Sequence, residues 1–129
     1  MKTTRILICD DDEIGRNIMR ILLKRMKNVE ADFAANGAEG LEKFINNNYD
    51  LIITDLHMPE LSGDELIEVV REDFDSEIPI IVTTGSYFGD EKTLYNELDI
   101  DEVLAKPYKP EDLRNMIKSL TNYQKQLVA

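Results

Sequence analysis

The sequence has a single cysteine, Cys9, which excludes a framework of internal disulfide bonds. Cys9 lies in an apolar run, so we expect a buried and unreactive thiol. No stretch of the chain approaches the roughly 18 uninterrupted apolar residues that a membrane helix needs. No signal-peptide pattern is present either, because the first apolar run is short and acids follow it. These absences predict a cytoplasmic protein.

Positive charge is also scarce: 15 lysines and arginines stand against 26 aspartates and glutamates, for a net charge of −11. This balance argues against direct binding to nucleic acid, whose phosphates would be repelled, and nothing indicates contact with a membrane. The chain shows no internal repeat, low-complexity segment or linker. A length of 129 residues suits one domain. We therefore expect residues 1–129 to form a single domain without an output domain.

Five short apolar segments predict strands, and each is followed by a segment of helical periodicity. The predicted strands are Arg5–Cys9, Val29–Ala35, Leu51–Thr54, Ile78–Thr83 and Glu102–Ala105. Such alternation is typical of a parallel sheet with helices on both faces and right-handed crossovers. The sequence therefore predicts an α/β fold with a doubly wound parallel sheet.

The periodicity of the apolar residues also predicts which face of each helix is buried. In the first helix, Asp11 or Asp12 would be the N-cap, and the helix would reach about Lys27. Its predicted apolar face is Ile14, Ile18, Ile21, Leu22 and Met26. The faces of the second and third helices are Ala38, Leu41, Phe44 and Ile45, and Leu66, Ile67, Val69, Val70 and Phe74. A loop over 85–89 precedes a fourth helix over Asp90–Leu98, and the fifth, from Pro110, would bury Leu113, Met116, Ile117, Leu120 and Tyr123.

Polar residues stand at the ends of four predicted strands. They are Asp10 and Asp11 after the first strand, Asp55 after the third, Thr84 beside the end of the fourth and Lys106 after the fifth. The carboxyl ends of parallel strands share one edge of a sheet, so these side chains should converge. Singly, each has an ordinary explanation, such as a turn cap for Asp55 or a solvated surface for Lys106. Together they predict a functional site.

The chemistry of this set points to a metal and to phosphoryl transfer. Clustered carboxylates repel one another unless a cation lies among them. Oxygen ligands without cysteine or histidine side chains favour Mg²⁺ or a similar ion such as Mn²⁺. One carboxylate could then act as a nucleophile and form an acyl phosphate. Lys106 and the hydroxyl of Thr84 are suited to the phosphoryl oxygens.

Four blocks of sequence resemble the receiver domain of two-component response regulators. They are Ile6-Leu7-Ile8-Cys9-Asp10-Asp11-Asp12, Thr54-Asp55-Leu56-His57-Met58-Pro59 with Gly63, Pro79-Ile80-Ile81-Val82-Thr83-Thr84-Gly85, and Lys106-Pro107-Tyr108. Their order and spacing match the family over nearly the whole chain. The resemblance implies a flavodoxin-like (βα)5 fold with strand order 2-1-3-4-5, of the chemotaxis-type, single-domain kind.

The resemblance implies a role for each acidic residue. Asp55 would be the phosphoacceptor, loaded by a histidine kinase or a histidine phosphotransfer protein. Asp11 and Asp55 would bind Mg²⁺ (or Mn²⁺) directly, together with the backbone carbonyl of His57. Asp10 would act through a metal-bound water. The side chain of His57 is interpreted as exposed in its loop.

The resemblance also implies a switch. Thr84 would supply the hydroxyl that moves to the phosphoryl group, and Lys106 would pair with that group and precede a cis bond to Pro107. The sequence departs from the family at Val103, where receivers usually have an aromatic residue whose ring rotates on activation. A relay to the face formed by the fourth helix, fifth strand and fifth helix would then run through the backbone and the loop.

The predicted function is a phosphorylation-dependent switch that alters the binding of a downstream protein through this face. It would be a monomer or a phosphorylation-dependent dimer, and it would slowly dephosphorylate itself. Two alternatives remain open. A small-molecule phosphohydrolase of the haloacid-dehalogenase type would need an aspartate two residues after Asp55, where this chain has His57. A phosphorylation-independent interaction module is favoured only by Val103.

Overall fold

The computed structural model describes residues 2–85 and 91–121. Within this part of the chain, five parallel strands form one sheet in the order β2-β1-β3-β4-β5. The strands are β1 (Thr4–Cys9), β2 (Val29–Ala34), β3 (Leu51–Asp55), β4 (Ile80–Thr84) and β5 (Glu102–Ala105). The helices are α1 (Glu13–Lys24), α2 (Gly37–Asn46), α3 (Gly63–Glu68), α4 (Glu91–Glu97) and α5 (Pro110–Leu120). The predicted fold class and strand order are confirmed.

Alternate residues of the central strands point to opposite faces of the sheet, and each face carries its own apolar cluster. On one face, Ile6 and Ile8 of β1 pack with Met19 and Leu23 of α1 and with residues of α5. On the other face, Leu7 of β1 packs in a cluster with residues of α2 and α3. β1, β3 and β4 are therefore buried on both sides, as a doubly wound sheet requires.

The buried face of α1 agrees with the predicted one only in part: Leu22 and Met26 pack in the core as predicted, but the isoleucines do not. Ile14, Ile18 and Ile21 are 69%, 47% and 55% exposed, whereas Met19 and Leu23 are each 3% exposed. At 100° per residue, the exposed isoleucines lie roughly 140° around the helix from these two buried residues. Both sets have helical spacing, so the periodicity did not distinguish them. We call Ile14, Ile18 and Ile21 the isoleucine stripe.

Other predicted apolar contacts differ in a similar way. Ala38 and Ile45 of α2 are exposed. Phe74 is 45% exposed, although its ring meets that of Phe44 edge to face at 5.7 Å. The predicted loop from 86 to 89, the start of the fourth helix at residue 90 and the contact of Tyr123 lie outside the described residues. Among those described, no helix is both long and apolar enough to cross a bilayer.

The third helix changes its hydrogen-bond pattern at its end, where α3 continues as a π-helix over Val69–Asp73. Arg71 in this π-helix donates from Nη1 to the carbonyls of Ser76 and Ile78, at 2.9 Å and 2.7 Å. Its Nε donates to the carbonyl of Asp99 at 2.9 Å. Its side chain is only 11% exposed. Arg71 thereby joins the end of the third helix to the entry of β4 and to the turn before β5.

The outer edge of β5 is covered by a side chain from α4. The backbone N–H of Val103 donates to the hydroxyl of Tyr95 at 3.0 Å, and that hydroxyl donates to Glu102 at 3.3 Å. Val103 itself is 7% exposed and belongs to the core. The residue at the usual aromatic position is therefore a packed aliphatic side chain.

Candidate functional site

The carboxyl ends of the strands bring three carboxylates and one lysine together. Asp10, Asp11 and Asp55 each offer an oxygen, and these oxygens all lie within 4.8 Å of one another. The Nζ of Lys106 lies 2.9 Å from Oδ2 of Asp55 and 3.3 Å from Oδ2 of Asp10. The sheet order explains this convergence, because β1 and β3 are neighbours and β5 ends at the same edge.

Asp10 is the most enclosed of the acids, with 6% of its surface exposed. Its Oδ1 accepts the backbone N–H of Asp12 at 2.9 Å, and Asp12 in turn caps α1. Nη1 of Arg16 donates to the backbone carbonyl of Asp10 at 2.7 Å. Asp10 is therefore held at both its side chain and its main chain. Arg16 is a residue of this site that the sequence pattern did not predict.

Asp55 ends β3 and starts a tightly folded loop. Its Oδ1 accepts the N–H of Leu56 at 3.0 Å, which leaves Oδ2 facing Lys106. Gly63 packs against this turn so closely that a Cβ at that position would lie 1.9 Å from the carbonyl oxygen of Asp55. The N–H of Gly63 donates to the carbonyl of Leu56 at 2.8 Å. Only a glycine fits here, and it fixes the backbone beside the carboxylate.

Lys106 connects β5 to β4 as well as to the acids. Its backbone N–H donates to the carbonyl of Thr84 at 2.8 Å, and the Lys106–Pro107 bond is cis, as the resemblance implies. Burial alone would lower the pKa of Lys106. The hydrogen bond and charge of Asp55, followed by those of Asp10, outweigh burial and raise this pKa above its ordinary value. The lysine is therefore a permanent cation at neutral pH.

The remaining predicted site residues, Thr84 and His57, lie at the end of β4 and in the loop after β3. Thr84 is 8% exposed at the end of β4, one residue beyond Thr83, which pairs with Asp55 in the sheet register. His57 is exposed in the loop after β3, and Asp11 is also exposed. The structure therefore brings Asp10, Asp11, Asp55 and Lys106 together and leaves the ring of His57 in solvent.

The donor set fits a hard divalent cation. Mg²⁺ takes oxygen ligands at about 2.0–2.1 Å and usually binds one or two carboxylates while keeping several waters. Three carboxylate oxygens within 4.8 Å of one another can supply those ligands. One of the three acids would still have an oxygen available as a nucleophile. The exposed position of Asp11 leaves room for water ligands.

Comparison with known proteins assigns this fold and site to a family. The family model of the response regulator receiver domain matches residues 6–118. The chain therefore belongs to the response regulator receiver domain family. Members take part in two-component signalling, in which phosphorylation of an aspartate is general, and they interact with histidine kinases or phosphotransfer proteins and with downstream effectors.

The chain matches only a part of its curated relatives. It is 34% identical over 117 residues to the transcriptional regulatory protein ResD of Bacillus subtilis, a match that covers 91% of this chain and 48% of ResD. It is 36% identical over 116 residues to the hybrid signal transduction histidine kinase G of Dictyostelium discoideum, covering 88% of this chain and 3% of the kinase. The chain thus spans about half of ResD and a small part of the kinase.

Solved structures match over nearly their whole length. The chemotaxis protein CheY4 of Vibrio cholerae has a TM-score of 0.81 and 27% identity, and the match covers 92% of this chain and 98% of CheY4. A response regulator receiver domain protein from Clostridium thermocellum has a TM-score of 0.80 and 29% identity, covering 96% and 98%. These neighbours share the five-stranded receiver fold.

Proposed function

We propose that this chain is a phosphorylation-controlled binding switch in which Asp55 accepts a phosphoryl group from a phosphohistidine donor. The convergence of Asp10, Asp11 and Asp55 within 4.8 Å, with Lys106 at 2.9 Å from Asp55, carries this proposal. A nucleophilic carboxylate needs a nearby positive charge, because the incoming phosphoryl oxygens are negative. Lys106 provides that charge from the protein itself.

Each residue of the cluster has a proposed task toward Mg²⁺. Asp11 and Asp55 would hold the ion with carboxylate oxygens, the backbone carbonyl of His57 would add a ligand, and Asp10 would act through a water. When bound, the ion neutralises the phosphoryl oxygens. Lys106 separates Asp10 from Asp55 and limits their repulsion before the donor arrives.

The transfer step forms one bond and breaks another. An oxygen of Asp55 bonds to phosphorus while the bond from phosphorus to the imidazole nitrogen of the donor breaks, and the electron pair stays on that nitrogen. The product carries more negative charge and three acceptor oxygens. The hydroxyl of Thr84 donates to one of them and Lys106 pairs with the group. The backbone bond from Lys106 to Thr84 couples β4 and β5, which supports a path toward the α4–β5–α5 face.

The isoleucine stripe on α1 is the surface that we propose for the donor. α1 begins three residues after Asp10, so Ile14 lies near the mouth of the site. The isoleucine stripe exposes branched apolar side chains that a docked protein could cover. A protein donor must contact the rim of the site to bring its histidine to Asp55, and this stripe continues from that rim.

Phosphorylation at Asp55 is tested with a small phosphodonor. The wild type is incubated with acetyl phosphate and Mg²⁺, and intact-mass measurement is expected to show one added phosphoryl group. Asp55→Asn should abolish the increment, while Asp112→Asn, which changes an exposed acid on α5, should retain it. Labelling that persists in Asp55→Asn would contradict the assignment. Labelling without divalent metal would contradict the role of Mg²⁺.

Donor docking is tested with a phosphohistidine-carrying phosphotransfer domain that labels the wild type. Ile18→Ser is expected to slow transfer from this domain roughly tenfold, a loss of about 1.4 kcal/mol. Labelling by acetyl phosphate should be unchanged, because the site is intact. Ile45→Ser on α2 is the matched control, since Ile45 is 53% exposed and Ile18 is 47% exposed. Equal slowing by both variants would contradict the proposed surface.

A further inference from the structure

Gly15 lies in the first turn of α1, where a glycine destabilises a helix relative to alanine. Its surroundings give a reason for its presence. A Cβ at this position would lie 2.4 Å from Oδ2 of Asp10 and 3.2 Å from its Cγ. A Cβ atom essentially never lies closer than 3.0 Å to such a neighbour, so either the Asp10 carboxylate or the helix would have to move. The carboxylate of Asp10 therefore occupies the space that any other side chain at position 15 would need.

Asp10 has little freedom to give way. Its side chain is 9% exposed, and each of its oxygens has a partner. Oδ1 accepts the N–H of Asp12 at 2.9 Å, and Oδ2 contacts Nζ of Lys106 at 3.3 Å. Arg16, next to Gly15, holds the backbone carbonyl of Asp10 at 2.7 Å. A retreat of Oδ2 from position 15 would pull the carboxylate away from at least one of these partners.

We infer that Gly15 is a positioning residue: its missing side chain sets the orientation of the Asp10 carboxylate toward Lys106 and toward the metal. This inference rests on the proposed function for the metal, while the contact itself is a property of the protein alone. Gly15→Ala should displace Oδ2 of Asp10 and disturb the carboxylate arrangement. Partners that orient the groups around a metal typically change metal affinity when they are altered.

Metal affinity is measured by titrating Mg²⁺ and following the amide shifts of Leu56 and His57. Gly15→Ala is expected to weaken Mg²⁺ binding by roughly tenfold. The same substitution in an Asp10→Ala background should change affinity by less than about twofold, because the displaced carboxylate is gone. Asn17→Ala, another substitution in α1, should bind Mg²⁺ as the wild type does. An unchanged affinity in Gly15→Ala, or an equal loss in both backgrounds, would overturn the inference.

A melting temperature measured without metal separates this inference from the function it builds on. Alanine favours the helix, so Gly15→Ala should raise the melting temperature when Asp10 is alanine. With Asp10 present, the clash should remove or reverse that gain. An equal rise in melting temperature in both backgrounds would refute the close contact between position 15 and Asp10. If the wild type binds no Mg²⁺ but the melting pattern holds, the metal role fails while the positioning of Asp10 stands.

Discussion

Lys106 is the cation that balances the acidic cluster in the absence of metal. It lies 2.9 Å from Asp55 and 3.3 Å from Asp10, and its side chain is 26% exposed. Two neighbouring carboxylates without this charge would repel each other in a partly desolvated place. The lysine therefore contributes to stability as well as to the proposed chemistry.

Replacing Lys106 by methionine should show this contribution. We expect Lys106→Met to lower the free energy of unfolding by about 2 kcal/mol without metal, less than for a fully buried pair because the lysine is partly solvated. Mg²⁺ should restore part of the loss, since the ion supplies positive charge to the same carboxylates. Urea unfolding with and without Mg²⁺ measures both effects. Lys27→Met, at an exposed lysine, is the control and should change little.

Cys9 stands directly before Asp10 and is inert at neutral pH. It is 1% exposed, and burial, as the largest cause, raises the pKa of its thiol from 9.0 to about 12. The predicted buried thiol is thus confirmed.

The thiol should make stability depend on alkaline pH. The folded protein keeps the proton of Cys9 where the unfolded chain loses it, so this contribution is complete below pH 9.0 and is lost as pH rises toward about 12. The wild type should lose about 1.4 kcal/mol per pH unit in this window because of this group. In Cys9→Ala that loss is absent, so the stability difference between the two proteins should shrink as pH rises. Urea titrations at several pH values measure it, and a constant difference would contradict it.

Among the elements, α1 shows what a sequence pattern can and cannot specify. Its N-cap follows from local chemistry, and Asp12 is the cap, but the helix ends at Lys24 and not near Lys27 as predicted. The local sequence does not determine which side of the helix faces the sheet. The isoleucine stripe has helical spacing, and so does the pair Met19 and Leu23. The buried side is decided by how the helix crosses the sheet, which is a tertiary property.

Substitutions on the two sides of α1 should therefore have unequal effects. Ile18→Ser is expected to change the free energy of unfolding by less than about 0.5 kcal/mol, because Ile18 is 47% exposed. Leu23→Ala should cost about 2–5 kcal/mol, because Leu23 is 3% exposed and leaves a cavity. Urea unfolding of both variants checks the assignment. A large loss of unfolding free energy in Ile18→Ser, with a small loss in Leu23→Ala, would instead support the face predicted from the sequence.

Arg71, in the π-helix after α3, has a role for which the sequence carries no local signal. Its acceptors are the backbone carbonyls of Ser76, Ile78 and Asp99, which only the tertiary fold brings together. Arg71→Ala should lower the free energy of unfolding by about 2–3 kcal/mol, mainly because the partly buried carbonyls of Ser76 and Ile78 lose their donor. The ion pair with Asp99 should add little, as Asp99 is 82% exposed. Arg71→Lys keeps the charge but not the planar fork, so urea unfolding should place it between Arg71→Ala and the wild type.

For the whole molecule, the alternation of strands and helices was sufficient to predict a doubly wound sheet, and the family resemblance supplied the strand order. The convergence of Asp10, Asp11, Asp55 and Lys106 followed, because parallel strands end at one edge. The close contact of Gly15 with Asp10 did not follow, since it depends on side-chain orientation. Relatives such as ResD continue beyond the matched region, so a single-domain receiver stays a prediction.

The bond between Tyr95 and the backbone of Val103 has a consequence for the behaviour of the protein in concentrated solution. β5 is the last strand of the sheet, and an uncovered last strand is a template on which another molecule can add a strand. The hydroxyl of Tyr95 accepts the backbone N–H of Val103, one of the groups with which an added strand would pair. We therefore expect the tyrosine on the neighbouring helix to oppose the joining of separate copies through this edge.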